Sequence, residues 1–167
     1  PSPHQGEQPP QPVHPLAGAV SAARVMPGDV EDLAAVGTVF DAIKQQWGTM
    51  DFLVHAVAFS DKNELKGRYA DSTRENFIRT MVISCYAFTE AARRAAELMP
   101  IGGSMVTLTY NRGDRAIPNE DAQGVAKAVP EASGRDLAVD HGPGTHRADR
   151  VTHGPDLTAD GQGVTER

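Results

Sequence analysis

Two short apolar segments separated by a long helical pattern dominate the hydrophobic pattern of this chain. Residues 52–57 are almost wholly apolar, and residues 105–108 form a second run of the same kind. Such runs are typical of strands buried on both faces of a parallel sheet. The helical pattern between them is long enough for a parallel crossover. The pattern therefore predicts an α/β domain whose ligands bind beyond the carboxyl ends of the strands, at 56–62 and 109–114.

Two helices are predicted, one on either side of the first strand. The first begins with Asp29 as its N-cap and ends at Gly48. The second begins at a capping box of Ser72 and Glu75 and runs to about Met99. Six apolar residues of the first helix share one stripe and are expected to pack in the core: Leu33, Val36, Val39, Phe40, Ile43 and Trp47.

The two ends of the chain carry weaker signals. Residues 1–15 hold six prolines and are expected to be disordered, with a proline-rich ligand for a partner domain as the alternative. A weak helix is expected at 16–23 and a short strand at 23–26. A helical pattern at 125–129 runs into Pro130, and an interior proline costs a helix about 3 kcal/mol. From residue 140 onward no periodicity is sustained, so loop or disorder is expected there.

Composition excludes several classes of protein. A length of 167 residues predicts one domain, and a net charge of −6 offers no basic surface for nucleic acid. The single cysteine, Cys85, excludes a disulfide framework and fits a reducing compartment. No apolar run reaches the roughly 18 residues of a membrane span, and no signal peptide is recognisable. We therefore expect a cytoplasmic protein that binds neither nucleic acid nor membrane.

Histidines and acidic residues of the C-terminal part could suggest a metal site. Their spacings match no zinc pattern, and no cysteine is near. We therefore expect these residues to be solvated loop residues that bind no metal. His55 is expected to be a histidine of the core or of the loop edge. Ser60 and Asp61 show no arrangement typical of a nucleophile. The residues of the C-terminal cluster are Asp140, His141, His146, Asp149 and His153.

Two longer motifs make the chain recognisable. Residues 51–69, DFLVHAVAFSDKNELKGRY, resemble the NADH-dependent enoyl-acyl-carrier-protein reductases of bacteria, and so do TLTY at 107–110 and GDRAIPN at 113–119. The likeness runs in register from about Val13 to Pro155 and is strongest over 50–119. These reductases are divergent short-chain dehydrogenases. The resemblance therefore implies a Rossmann-type parallel sheet with flanking helices.

The resemblance also sets an expected domain organisation. The family opens with a strand and a glycine-rich turn that holds the pyrophosphate of the cofactor. No G-x-G-x-x-G follows a predicted strand here, so we expect the chain to lack the first glycine-rich βαβ unit. We predict a disordered lead at 1–15, a partial Rossmann-like domain at 16–139 and a degenerate, poorly ordered segment at 140–167.

The reaction implied by the resemblance is the transfer of a hydride from NADH to a trans-2-enoyl thioester of acyl carrier protein, in type II fatty acid biosynthesis. The family's catalytic signature is Tyr-x6-Lys, preceded by an aromatic residue ten positions before the tyrosine. Tyr110 matches that aromatic residue and Lys127 matches the lysine, but Glu120 replaces the tyrosine. An ionised carboxylate has no proton to donate to an enolate. Reductase activity is therefore expected to be impaired unless Tyr110 substitutes.

Further site residues follow from the resemblance position by position. Asp29 and Val30 match the pair beside the adenine, and Lys127 matches the residue that holds the nicotinamide ribose. The segment that runs beneath the cofactor is Ala56, Val57 and Ala58, and the hydroxyl at the phosphates belongs to Thr158. The implied substrate pocket contains Ser60, Leu65 and Tyr110.

Partners are implied as well, and one alternative function stays open. The family is homotetrameric, and the helix at 73–99 and the helix around Lys127 lie at its subunit contacts. A homo-oligomer that acts on an enoyl substrate linked to acyl carrier protein is therefore expected. Pro130, Gly134 and Glu120 each break a local rule without visible compensation. The alternative is a non-catalytic, truncated remnant that acts at most as an interaction protein.

Overall fold

The structure is a computed structural model that describes residues 13–64, 68–110, 121–142 and 146–153. Residues 1–12 of the lead predicted at 1–15, and the segment after residue 153, lie outside these ranges. The disorder predicted for residues 13–15 is wrong, because a helix already begins at Val13, and the weak helix predicted at 16–23 is shifted to Val13–Ala19. Within them, no helix is long and apolar enough to cross a membrane. The elements are α1 (Val13–Ala19), α2 (Leu33–Trp47), β1 (Phe52–His55), α3 (Arg74–Met81), a π-helical turn (Val82–Tyr86), α4 (Ala87–Glu97), β2 (Gly103–Tyr110), α5 (Asp121–His141) and β3 (His146–His153), with short 3₁₀ turns at Lys62–Glu64 and Tyr69–Asp71.

The sheet is parallel, as the apolar pattern predicts. Its three strands have the order β1-β2-β3. Leu53 pairs with Met105 and His55 pairs with Thr107, so the carboxyl ends of β1 and β2 lie side by side. The helical segment α3–α4 forms the crossover between these two strands.

Helices α4 and α5 pack on one face of this sheet. The prediction that the first strand is buried on both faces is wrong, because Phe52 is 67% exposed and Val54 is 54% exposed. These side chains point to the other face, which no described helix covers. The buried cluster on the covered face comprises Phe88, Ala92, Ala95, Met99, Met105 and Leu137.

The first helix starts later than predicted. Its N-cap is Asp32, whose carboxylate accepts a hydrogen bond of 2.9 Å from the amide of Ala34. Asp29 instead accepts a hydrogen bond of 2.9 Å from the amide of Glu31 and so forms a turn that precedes the helix. Gly48 ends the helix with a φ of 76°, as expected, because a left-handed backbone favours glycine.

The apolar stripe of α2 is only partly buried. Phe40 packs against the core cluster, but Leu33 is 46% exposed and Trp47 is 53% exposed. The core prediction is wrong for these two residues, since they lie at the two ends of a helix whose principal described neighbour is α4. The strand predicted at 23–26 does not form either, because that segment has neither helix nor ladder pairing.

The long crossover helix is also shifted at its start. Thr73 is the N-cap and accepts a hydrogen bond of 3.2 Å from the amide of Asn76, so the predicted capping box of Ser72 and Glu75 is wrong by one residue. The carboxylate of Glu64 explains the shift. It accepts hydrogen bonds of 2.9 Å from the Thr73 amide and 2.7 Å from its hydroxyl, which fixes the start of the helix from outside the helical segment.

Helix α5 continues through Pro130, so the break predicted there is wrong. Pro130 and Ala126 are fully buried, and Leu137 joins the core cluster. Apolar burial on this side offsets the hydrogen bond that the proline removes.

A third strand forms where a loop was expected. His146 begins β3, and its ring nitrogens lie 3.2 Å from the carbonyl oxygens of His141 and Met99. Along the strand Ala148 packs against the core, whereas Arg147 and Asp149 alternate to the uncovered face and pair with each other. The charged sequence is compatible with a strand because only one of its faces is covered.

Candidate functional site

Lys127 lies where helix α5 meets the carboxyl ends of strands β1 and β2. Its side chain extends from α5 to the carboxyl ends of β1 and β2, and the residue is 7% exposed. The Nζ atom donates hydrogen bonds to the Leu108 carbonyl oxygen at 2.9 Å and to the Val57 carbonyl oxygen at 3.3 Å. One side chain therefore joins the two strand ends at which a parallel sheet binds its ligands.

The ammonium group of Lys127 is not fully used by these contacts. Burial lowers its pKa, and no carboxylate forms an ion pair with it among the described residues. A lysine ammonium has three donor hydrogens, and the two carbonyl groups take two of them. One donor remains for a hydroxyl or another acceptor that enters the crevice.

His55 is buried directly beneath this junction, as expected for a core histidine. Its Nδ1 atom lies 3.1 Å from the hydroxyl oxygen of Thr107, and its ring centroid lies 5.5 Å from that of Phe88. Burial, with the charge of Lys127 as a smaller cause, lowers the pKa of His55 to about 4. The imidazole is therefore neutral at physiological pH. Its Nε2 atom is buried without a hydrogen-bond partner among the described residues.

The segment after β1 alternates between exposed and half-buried residues. Ala56 and Ala58 are exposed, while Val57 is half-buried and turns its carbonyl group to Lys127. Ser60 is half-buried, with its hydroxyl oxygen 3.4 Å from Asn76 Nδ2. The surface beside the strand end is therefore lined by small side chains.

A second loop lies next to this segment. Asp29 and Val30 are half-buried. The single N–H of Arg79 Nε is shared between the two carboxylate oxygens of Glu31, at 3.1 Å and 2.9 Å, and Arg79 Nη2 lies 2.9 Å from Oε2 of the same carboxylate. The guanidinium carbon of Arg79 also lies 4.5 Å from the ring centroid of Phe59. Its pKa is raised, chiefly by the hydrogen bonds to Glu31. Arg79 thus links the loop that precedes α2 to the loop that follows β1.

The remaining predicted site residues are only partly within the described ranges. Leu65, Glu120 and Thr158 lie outside them. Tyr110 is the last residue of β2, where its backbone pairs with that of His153, and its side chain is outside the description. In the same ranges, no three histidine, cysteine, aspartate or glutamate residues are placed to hold a metal ion.

Sequence reasoning missed the side chains that hold these loops. Arg79, Glu31 and Asn76 carried no expectation, although each makes a contact that fixes the approach to the strand ends. One signal was available in the sequence. Asn76, Thr80 and Ser84 recur every four residues along a predicted helix, and a stripe of polar residues that is buried calls for buried partners.

A parallel sheet with helices on one side and a buried helix-borne lysine at its carboxyl ends defines a Rossmann-type α/β protein. A family model described as Enoyl-(Acyl carrier protein) reductase matches residues 4–167. The chain belongs to the enoyl-(acyl carrier protein) reductase family. The family and the fold implied by the sequence motifs are thereby confirmed.

Individual relatives agree with this assignment. The NADH enoyl-acyl-carrier-protein reductase 2 of Rhizobium meliloti is 54% identical over 163 residues, which cover 98% of this chain and 61% of the relative. The corresponding NADH reductase of Rickettsia felis is 46% identical over 86% of this chain and 55% of its own length. The chain thus spans about three-fifths of the curated relatives it matches.

Solved structures show the same backbone. The reductase of Anaplasma phagocytophilum in complex with NAD superposes with a TM-score of 0.86 at 44% identity, over 92% of this chain and 58% of that protein. The Bacillus cereus reductase in complex with NADP+ and an indole naphthyridinone gives 0.88 at 36% identity, over 96% of this chain and 63% of that protein.

Proposed function

We propose that this chain carries the catalytic region of an NADH-dependent enoyl-acyl-carrier-protein reductase of fatty acid biosynthesis. The observation that supports it most is the position of Lys127, buried between the carboxyl ends of β1 and β2 with one donor left over. The relatives named above are NADH reductases of this type. The substrate would be a trans-2-enoyl thioester on acyl carrier protein.

The residues present fit NADH in several places. The remaining donor of Lys127 suits a ribose hydroxyl, and the exposed Ala56 and Ala58 leave room along the strand end. Asp29 and Val30 would lie beside the adenine, and Thr158 would contact the phosphates. Bound NADH would supply the hydride that the β-carbon of the thioester accepts.

The thioester oxygen is the position at which this chain departs from its family. A reduction at the β-carbon needs a hydrogen-bond donor at the carbonyl oxygen, where negative charge develops. Glu120 cannot donate when ionised, so Tyr110 is the candidate donor in this chain. Ser60 and Leu65 would line the path of the acyl chain.

The test is NADH oxidation by the purified chain with a trans-2-octenoyl thioester, compared with Glu120→Tyr. Loss of one oxyanion donor typically costs about 10²–10³ in rate, so the variant should turn over faster by about that factor. Equal turnover in both proteins would contradict the role assigned to this position. A variant Tyr110→Phe then checks whether Tyr110 supplies the residual rate.

A non-catalytic remnant is the second candidate function, and Glu120 is the observation that favours it. NADH binding separates the two, because a remnant that cannot bind the dinucleotide cannot be an oxidoreductase. We expect the fluorescence of NADH to titrate with the unmodified chain, and its Kd to rise at least about tenfold in Lys127→Met, for one lost charge-assisted hydrogen bond. No binding by the unmodified chain would favour the remnant.

Assembly into a homo-oligomer, a tetramer as in the family, is part of this proposal. Ile78 is 43% exposed and Tyr86 is 48% exposed on the crossover helix, and Val125 is 37% exposed on α5, which gives these helices apolar surface for a partner copy. Sedimentation equilibrium measures the state, and a monomer at all concentrations would contradict it. A cytoplasmic location remains a prediction that rests on the lone, buried Cys85.

A further inference from the structure

The loop that follows β1 is attached to the crossover helix along its length. Phe59 to Glu64 lead away from the strand end, and polar side chains of α3 and of the π-helical turn contact the loop at successive points. Three of these side chains lie on one stripe and are buried, with Asn76 8%, Thr80 0% and Ser84 0% exposed. We call Asn76, Thr80 and Ser84 the polar ladder.

Ser84 makes the contact nearest to the strand. Its hydroxyl oxygen accepts a hydrogen bond of 3.0 Å from the Phe59 amide, and the hydroxyl donates one of 3.2 Å to the Phe59 carbonyl oxygen. Both polar groups of one loop residue are thus satisfied by one side chain. A backbone group paired in this way has a defined position, whereas apolar packing alone would allow the loop to slide.

Asn76 makes the contact at the far side of the loop. Its Oδ1 atom accepts a hydrogen bond of 3.0 Å from the Asp61 amide, and its Nδ2 group donates to Glu64 at 3.2 Å. The amide orientation follows from these partners, since a backbone N–H needs the oxygen and a carboxylate needs the nitrogen. Glu64 in turn accepts from Thr73, which fixes this end of the loop to the start of α3.

Thr80 connects the other two contacts through Ser60. The Thr80 hydroxyl lies 3.4 Å from the Ser60 hydroxyl and 3.3 Å from Asn76 Oδ1, and it has one hydrogen to donate. When Thr80 donates to Asn76, Ser60 is the donor of the other pair. In that arrangement the orientation of the Ser60 hydroxyl is set by its contact with the buried Thr80.

From these contacts we propose that the polar ladder positions the loop 59–64 as a wall of the acyl pocket and thereby sets the affinity for the enoyl thioester. Asn76, Thr80 and Ser84 are positioning residues, because they act through Phe59, Ser60 and Asp61. The pocket part of this inference rests on the proposed function. The ladder is specific for the loop since its partners there are the main-chain groups of Phe59 and Asp61 and the side chains of Ser60 and Glu64, not sheet side chains.

The experiment measures the stability of the loop's hydrogen bonds and the affinity for the ligand separately. Amide exchange of Phe59 and Asp61 is followed by NMR in the unmodified chain, Ser84→Ala, Thr80→Val and Thr80→Ser. Loss of one hydrogen bond should raise exchange of the Phe59 amide about tenfold or more in Ser84→Ala. Thr80→Val should raise exchange at Asp61, and Thr80→Ser, which keeps the hydroxyl, should restore it.

Binding is measured by calorimetry with trans-2-octenoyl-N-acetylcysteamine in the presence of NAD+, so that no turnover occurs. We expect the thioester Kd to rise about tenfold or more in Ser84→Ala and Thr80→Val, because each variant loses the two hydrogen bonds of its hydroxyl, while the NAD+ Kd stays within about twofold. The matched control is Thr38→Val. The exposed Thr38 donates its hydroxyl to the Ala34 carbonyl oxygen within α2, a helix that contributes none of the ladder side chains, and neither Kd should change.

Each outcome decides the proposal. Unchanged exchange at Phe59 and Asp61 overturns it, whatever the ligand data show. Raised exchange with an unchanged thioester Kd overturns the assignment of the loop to the pocket. If the unmodified chain binds no thioester, the proposed function fails, and amide exchange alone then supports or overturns the positioning of the loop.

Discussion

The stripe of the long crossover helix that faces inward is polar in its first half and apolar in its second. Asn76, Thr80 and Ser84 are followed on the same side by Phe88, Ala92 and Ala95, with Met99 just beyond the end of the helix, and every one of these residues is buried. The first half faces main-chain groups of a loop, and the second half faces the side chains of the sheet. The comparison teaches that burial alone does not select apolar residues; the groups on the opposite side select them.

The π-helical turn explains how both halves can lie on one side. Twelve residues separate Asn76 from Phe88, and a regular α-helix of about 100° per residue would place them about 120° apart. The wider turn at Val82–Tyr86 accommodates about one residue more than an α-helical turn does, and this brings the two halves onto the same side of the helix. Ser84, in the middle of that turn, is also the residue that bonds both polar groups of Phe59.

The largest expected effect is a loss of stability, and it should be greater for a substitution in the apolar half of the stripe than for one in the polar half. Phe88→Ala should lower the free energy of unfolding by about 3–5 kcal/mol, because Phe88 is fully buried between helix and sheet. Thr80→Val, at an equally buried position of the polar half, should lower it by only about 1–3 kcal/mol, since the two hydrogen bonds of its hydroxyl are lost at about 0.5–1.5 kcal/mol each. Urea denaturation measures both, and equal losses would remove the distinction.

The apolar half can also be tested from the strand it packs against. A Cβ at Gly103 would lie 2.8 Å from the Asp51 carbonyl oxygen and would clash with Met99, so Gly103→Ala should cost about 2 kcal/mol by overpacking. The matched control is Gly134→Ala in α5, where a Cβ meets nothing within 4 Å. That variant should stabilise the chain by about 0.5–1 kcal/mol, the usual gain for glycine to alanine in a helix. Thermal melting of the two variants should shift in opposite directions.

An ion pair beside the apolar half gives a pH-dependent test. Glu90, whose side chain is 8% exposed, pairs with Arg93 at 2.9 Å, and hydrogen bonding by Arg93 holds the pKa of Glu90 below its ordinary 4.5. A lowered folded-state pKa stabilises the chain above pH 4.5, and that stabilisation is lost as the pH falls through the folded-state value.

Glu90→Gln should therefore lose about 1.5 kcal/mol at neutral pH, the lower end for hydrogen bonds to a charged group. The deficit should shrink as the pH is lowered below 4.5. Denaturant melts across pH measure it. Glu97→Gln is the control, because the Glu97 side chain is 68% exposed and its pair with Arg93 contributes little. A deficit that does not depend on pH would contradict the ionic origin.

The smallest expected effect concerns the first residues of the polar half. Thr73→Ala should cost at least about 1 kcal/mol, since it removes the N-cap hydroxyl, which also donates to Glu64. Ser72→Ala should be neutral or slightly stabilising, because the Ser72 hydroxyl is buried without a hydrogen-bond partner among the described residues. Chemical denaturation of the two variants compares neighbouring positions. A larger loss of stability in Ser72→Ala than in Thr73→Ala would indicate that Ser72 is the N-cap after all.

Periodicity predicted the elements of this fold better than their boundaries or their burial. The parallel pairing of β1 with β2 and the long crossover helix followed from apolar runs and spacing. Both helix starts were misplaced, because Asp29 and Ser72 are as suitable by type as Asp32 and Thr73. The choice at the second start depends on Glu64, whose contact with Thr73 is tertiary and leaves no local signal.

The C-terminal part also shows that local sequence signals do not decide the structure, because here elements form against the local signal. Pro130 and the charges of β3 break local rules, yet the helix and the strand form because their inner residues are buried. Lys127 could be placed in the site from a motif that the chain shares with its family. Its two carbonyl partners could not, since they come from the ends of two different strands.

The wider turn in the crossover helix bears on which insertions and deletions this lineage can tolerate. A deletion within Val82–Tyr86 would convert the turn to regular α-helix and leave the segments on either side in their present relative orientation. The same deletion within α4 would rotate everything beyond it by about 100°. Homologous helices of unequal length should therefore differ by one residue at this turn and nowhere else along the crossover.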